Sequence, residues 1–385
     1  MPRFPELTIT VLTVRRGFFP LDRRLRLRRD SWSRGLVRES ARLGTTQPSF
    51  EMAAETMGRL SRIWISDSTV WRHHKEVASQ LEMRLEEEEQ KAPNHIAWKD
   101  LPVMGWITPE KPIDKHASVS IDGVKILTRE EGYREVKMVS VSEVVAEAES
   151  ETCSLAPQTA EQGEEPTVTS DDEDRGRQDS LKLTAHSYRA VLGDKPTFIP
   201  ALRGELARRR VTRAVQLSTV NDGADWIWDL TQRYLPDWRV EILDWPHAVE
   251  NLAKAGKAGW GEGTPEAQAW LEQQKTELWN GELVQVEIGL ERLPLRYKER
   301  GRDIRQVKAY IDQHWTRLHY DEFRAAGRPI GSGTVESAAR NVVAWRMKRG
   351  GQRWSSAGAT RMLTAVGEAH SDRWDTRMQH LAKAA

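Results

Sequence analysis

The stretch RAVQLSTVNDGADWIWDL, residues 213–230, decides the fold class. Its first half alternates apolar and polar residues as a half-buried strand does, and Asn221-Asp222-Gly223 reads as the turn that ends it. Trp226, Ile227, Leu230 and Tyr234 then recur at helical spacing. A strand that runs through a tight turn into a helix is the repeating unit of an α/β sheet, so a layered α/β core is expected around it.

The same texture extends outward. Ala117, Val119 and Ile121 alternate with polar residues up to a second Asp-Gly pair at Asp122, and residues 136–144 and 183–192 are further β-branched runs. A helix is expected over 198–209 and a short strand over 238–243, ending at Asp244. The predicted order is β-β-β-α-β-α-β. Residues 248–326 are helical in character throughout, with Trp260, Trp270, Leu271, Leu278, Tyr310, Ile311 and Trp315 as apolar points. The turn Gly331-Ser332-Gly333 then opens a helix that carries Glu336.

Upstream, residues 48–85 read as two short helices broken at Ser66 to Ser68, a pattern compatible with a helix-turn-helix or with a plain helical hairpin. In the first case the second helix presents Thr69, Arg72, His73, His74 and Lys75 to a DNA groove. The Glu-rich run at 86–90 is expected to be a solvated helix end. Five regions result: a basic segment 1–45, a helical region and linker 46–112, a first core part 113–247, an all-α insertion 248–327, and a closing part 328–385.

The net charge of +1 hides strong segregation. Residues 1–42 hold 11 Arg against 4 acids, whereas 147–179 holds 11 acids against 2 Arg. The first block suits phosphate contacts and the second, poor in aromatics, is expected to be a disordered insertion over 147–180. One cysteine, Cys153, excludes a disulfide framework and a Cys-rich zinc module. No run of about 18 apolar residues and no signal peptide is present, so a soluble cytoplasmic protein is expected. Most of the 16 Trp should pack cores, although aromatic faces also stack on unpaired bases.

Asp122 and Asp222 are placed at strand ends, where an α/β sheet opens its ligand crevice, and Glu336 at the start of a later helix. Each acid alone is an ordinary turn or helix-start residue. Together they form the oxygen-rich set that suits Mg²⁺ or Mn²⁺, two ions about 3.5–4 Å apart serving phosphoryl transfer.

The strings SIDGVKILTREEGYREVKM (120–138), VNDGADWIWDL (220–230), EILDWPHAVENL (241–252) and RPIGSGTVESAARNVVAWRMKRGGQRW (328–354) resemble bacterial insertion-sequence transposases of the ISKra/ISLre type, over residues 17–373 except the acidic stretch. The resemblance implies a DDE transposase: a ribonuclease H-like core of mixed sheet and flanking helices, an all-α insertion before the last carboxylate, and helix-turn-helix DNA binding upstream. It places the catalytic, metal-holding triad at Asp122, Asp222 and Glu336. It further implies DNA cleavage at transposon ends and strand transfer into target DNA, with a homo-oligomer in the synaptic complex. In the family a GFFPLD-like segment, here 17–22, follows a short Cys-containing stretch; no cysteine precedes it in this sequence.

Asp244-Trp245-Pro246-His247 resembles an Asp-or-Cys, two residues, His signature of related transposases. An Asp at a strand end can place His247 by accepting its N–H, so both are read as supporting residues. After Glu336, and on the continuation of the same helix, the cations Arg340, Arg346, Lys348, Arg349 and Arg353 interleave with Trp345 and Trp354 as a basic, aromatic patch for DNA, joining Arg72 and Lys75. The rival readings are a catalytically inactive, transposase-derived DNA-binding protein and a ribonuclease H-like nuclease without strand transfer.

Overall fold

A computed structural model describes residues 32–92, 113–146, 181–294, 298–333 and 339–384. The acidic insertion at 147–180, most of the basic segment and most of the linker before residue 113 lie outside them.

Strands β1 (His116–Thr128), β2 (Gly132–Ala146) and β3 (Leu181–Leu192) form an antiparallel meander. Two short strands, β4 (Gln216–Asn221) and β5 (Val240–Leu243), extend the sheet in parallel on the other side of β1, giving the order β3-β2-β1-β4-β5. The strand and helix order expected from the sequence is the one observed.

Alternation along the strands sorts the two faces. Val119, Ile121, Val139 and Val141 turn to one side, where they meet Phe198, Leu202 and Leu206 of helix α4 (Lys195–Arg208) and Ile227 and Leu230 of α5 (Asp225–Tyr234). Ile126, Val136, Met138 and Ala190 turn to the other, beneath Met362, Leu363 and Val366 of α11 (Ser356–His370). Each of these fully buried side chains contributes about 1.5–3 kcal/mol relative to exposure, so the two clusters fix which face every strand presents.

Three amino-terminal helices, α1 (Arg34–Thr46), α2 (Phe50–Ser61) and α3 (Asp67–Lys91), each begin at a serine, Ser33, Ser49 and Ser66, whose hydroxyl accepts a first-turn N–H. Val37 and Ala41 of α1 pack with Val77 and Leu81 of α3, and with Ala365, Trp374 and Met378 of α11 and the last helix, α12 (Trp374–Ala384). The first and last helices of the described chain therefore share one core. Between β5 and the closing part lie α6 (Trp245–Trp260), α7 (Pro265–Trp279), α8 (Leu283–Glu291), α9 (Lys298–Gln313) and α10 (Tyr320–Ala325), built around Leu252, Leu278, Val286, Leu290, Ile311 and Tyr320.

Four expectations change. First, β1 does not end at Asp122-Gly123 but continues to Thr128, paired with β2 alone once β4 has stopped. Gly123 is tolerated there because a Cβ would stand 2.6 Å from Glu135 Oε1, so the missing side chain makes room for a neighbour. Second, α3 spans 25 residues rather than being a short helix, and Thr69, His73 and His74 face inward; only Arg72 and Lys75 of the expected groove-facing set are exposed.

Third, the Glu-rich run is solvated at Glu86, Glu87 and Gln90 but not at Glu88 and Glu89. Glu88 and Glu89 are buried in an ionic cluster with Glu205, Glu368, Arg189, Arg208, Arg373 and Arg377. Glu88 meets Arg377 at 2.6 Å, Glu89 meets Arg189 at 2.6 Å, Glu205 meets Arg373 at 2.9 Å and Glu368 meets Arg377 at 2.7 Å. A carboxylate leaves water only when a cation replaces its hydration, and each of these has one. Fourth, the basic stretch after Glu336 is not one helix. It is π-helical over Ala339–Ala344, helical for one more turn at Trp345–Met347, and then turns at Gly351 so that Trp354 bridges Thr128 at the end of β1. No helix among the described residues is long and apolar enough to cross a membrane.

Candidate active site at the head of the parallel strands

The parallel pairing of β1 and β4 runs from His116 opposite Gln216 to Val119 opposite Thr219. Two positions further on, Ile121 N–H donates to Asn221 Oδ1 at 2.6 Å, holding the same register. The following residues, Asp122 and Asp222, therefore occupy equivalent positions just beyond the paired stretch of two neighbouring parallel strands. Both are half-buried. Asp122 Oδ1 accepts from Gly123 N–H at 2.6 Å, and Asp222 Oδ1 accepts from Ala224 N–H at 3.0 Å, in the turn that starts α5. The topology brings together two acids a hundred residues apart, and Asn221 fastens the strands at that point.

Asp244, at the end of neighbouring β5, is wholly buried and joins three segments. Its Oδ2 accepts from His247 N–H at 3.1 Å and from the His247 ring Nδ1 at 2.7 Å, while Oδ1 accepts from Ser332 N–H. Trp245 N–H donates to Ile330 O at 3.0 Å alongside. The carboxylate thus caps α6 and pins the Gly331-Ser332-Gly333 turn to the head of the sheet. The hydrogen bond to Asp244 raises His247 to about 9; burial opposes the rise, and the charges of Asp244, Asp222 and Glu250 add to it. At neutral pH His247 is an imidazolium beside two aspartates.

Tyr310 of α9 completes the wall, a residue that sequence reading treated only as an apolar point. A Cβ on Gly223 would run into its ring, so Gly223 is the gap through which the helical insertion reaches the residue next to Asp222. Burial, followed by the charges of Asp222, Asp244 and Glu250, pushes the Tyr310 hydroxyl above its ordinary value. No motif in the sequence marks Tyr310; only packing reveals it.

Glu336 lies outside the described residues, although the chain on either side is anchored, Ser332 on Asp244 and Ala339 in the core beside Val342 and Val343. Among the described residues no three His, Cys, Asp or Glu side chains gather as a metal cage. Of the basic residues, Lys348, Arg349 and Arg353 are exposed, and the Arg340 side chain is not described. Arg346 corrects the expectation of a solvent-facing cation. It is 2% exposed, its Nε and Nη2 donate to Gly44 O at 3.3 Å, and its guanidinium lies over Phe50 and Trp354. It ties the closing segment to α1 and α2.

The chain matches no protein-family model, and no curated protein matches it.

Proposed function

We propose that this protein is a DNA transposase that cleaves DNA at the ends of its element and joins the freed 3′-OH to target DNA, on a ribonuclease H-like core. The observation that carries the reading is the matching position of Asp122 and Asp222 just beyond the paired stretch of two adjacent parallel strands, in a β3-β2-β1-β4-β5 sheet whose helical insertion precedes the segment of Glu336. The resemblance of the four strings quoted above agrees with it.

The donor chemistry fits divalent cations. The pair offers only carboxylate oxygens, and the charge of Asp222 adds to the hydrogen bond that raises His247 and to the burial that raises Tyr310. Asp122, Asp222 and Glu336 would hold two Mg²⁺ or Mn²⁺ ions, which when bound supply activation of the attacking oxygen and stabilisation of the leaving one. Asp244 and His247 act by position: they set the turn ahead of Glu336 and place one positive charge beside Asp222. Arg72, Lys75, Lys348, Arg349 and Arg353 are exposed cations suited to phosphate contacts, and α2 with α3 would serve as the helix-turn-helix. Synapsis of two ends calls for more than one copy.

The test uses the full chain and DNA carrying the inverted repeats that flank its coding frame, with Mg²⁺ or with EDTA. The expected result is Mg²⁺-dependent cleavage and joining in the native protein. Asp122→Ala and Glu336→Ala should bind the ends without cutting them. Cleavage by a clean Asp122→Ala preparation overturns the triad, and cleavage without joining leaves a nuclease.

A further inference from the structure

A cavity of about 620 Å³ opens where α2, α3, the end of β1 and the segment before α11 meet. It is within the range of ordinary ligand sites, about 300–1,000 Å³. Its lining holds five cations, Lys75, Arg129, Arg346, Arg353 and Arg361, and no carboxylate. Three of these are hydrogen-bonded within the fold: Arg346 to Gly44 O, Arg361 to Ser79 Oγ at 2.9 Å, and Arg129, through Nε alone, to Arg353 O at 3.1 Å. Lys75, Arg129 and Arg353 are exposed at the cavity. A site with that charge takes an anion.

The remaining lining narrows the anion. Trp71, 48% exposed, and Trp354 present rings, with Lys75 Nζ 5.4 Å from the centre of the Trp71 ring. Three lining residues hold buried polar atoms without a partner: both ring nitrogens of His74, the indole N–H of Trp354 and the side-chain oxygen of Gln352. His74 is 3% exposed and burial lowers it to about 3, so its ring is neutral and offers one donor and one acceptor. Unmet buried groups are costly, and a ligand with mixed donors and acceptors on a flat edge would satisfy them. Anionic group, flat ring and mixed edge together describe a nucleotide.

We propose that this cavity receives one unpaired nucleotide of a DNA strand, its phosphate on Lys75, Arg129 and Arg353 and its base against Trp71 and Trp354, with the base edge turned to His74 and Gln352. The choice of DNA rests on the function proposed above. The cavity is joined to the acids through β1. Trp354 N–H donates to Leu127 O at 3.2 Å and Arg129 N–H donates to Trp354 O at 2.9 Å, five and seven residues beyond Asp122, or about 20 Å along the strand. A nucleotide held here belongs to the same DNA as one at the acids, not to the scissile step itself.

The experiment measures binding of the full chain in EDTA, where no cleavage occurs, to a blunt duplex and to the same duplex with a short single-stranded overhang. The overhang carries a fluorescent adenine analogue whose emission is quenched on stacking. The overhang duplex should bind about tenfold more tightly, with quenching. Trp71→Ala should abolish both the preference and the quenching while blunt binding and the melting temperature hold. His74→Leu, at a buried position, should weaken overhang binding alone among molecules that melt as the native protein does. Equal affinity for the two duplexes, or a preference that survives Trp71→Ala, overturns the proposal, as does a free deoxynucleoside monophosphate binding as tightly as the overhang. Overhang preference without Mg²⁺-dependent cleavage sustains the cavity and sinks the catalytic reading; cleavage without the preference does the reverse.

Discussion

The molecule gathers carboxylates in two places and treats them oppositely. At the β3 side of the sheet, Glu88, Glu89, Glu205 and Glu368 are matched by Arg189, Arg208, Arg373 and Arg377, all buried and joined by short ion pairs. At the head of β1, β4 and β5, Asp244 holds one imidazolium, His247, on which the charges of Asp222 and Glu250 also act, and Asp122 lies on the strand next to Asp222. The first group is neutral within itself and closes the fold. The second carries excess negative charge at a half-buried point, an arrangement that suits added cations. Charge balance, rather than the number of acids, separates a structural cluster from a candidate site.

The largest effect expected on breaking this contrast is at the head of the sheet. Asp222→Ala should eliminate Mg²⁺-dependent DNA cleavage while the thermal melt stays close to native. Glu205→Ala should do the converse: one positive charge in excess in the buried cluster costs about 3–5 kcal/mol in urea unfolding, with cleavage per folded molecule unchanged.

The two regions should also fail at opposite ends of the pH scale. Burial raises Glu205 and Glu368, but the arginines outweigh it and hold both below the ordinary value of 4.5. Their stabilisation is complete above that value and is lost as pH falls through the folded-state range. His247 is raised instead, so its contribution is complete below 6.5 and is lost as pH rises through about 9. Urea titrations of the native protein and of His247→Ala should differ below pH 6.5 and converge above 9. In cleavage assays at neutral pH, His247→Ala should lose activity by about 10–100-fold rather than wholly, as a positioning residue does. The smallest effect is on the exposed face of α3, where Arg72→Ala should lower the salt slope of DNA binding by about 1 and leave stability within about 0.5 kcal/mol.

Much of the fold was legible in the sequence because alternation and helical spacing report directly on which side of an element is buried. All five strands, the helix over 198–209 and the helix after Asp222-Gly223 were readable in that way. Asp-Gly misled at Asp122 because its turn preference is local, whereas β2 continues the pairing across the whole hairpin to Thr128. The run EEEEQ misled because its partners, Arg189 to Arg377, lie at least a hundred residues away and no local rule connects them. Arg346 and His74 have the same lesson: a charged or polar letter gives no sign of an interior carbonyl or cavity waiting for it. At the candidate site the acids could be named singly, but their adjacency depends on the β1–β4 register, and Tyr310 depends on an insertion folding back over Gly223.

The ionic cluster also sets an order of events during synthesis. Glu88 and Glu89 leave the ribosome long before Arg377, which meets Glu88 at 2.6 Å across 289 residues. Arg189 and Arg208 can meet these acids once β3 and α4 have emerged, but the cluster closes only when Glu368, Arg373 and Arg377 follow, so the final packing of the first three helices is a late, long-range step. A nascent chain halted before α11 and α12 should therefore keep those three helices more open to protease, and synthesis of α11 and α12 should be what locks them in place.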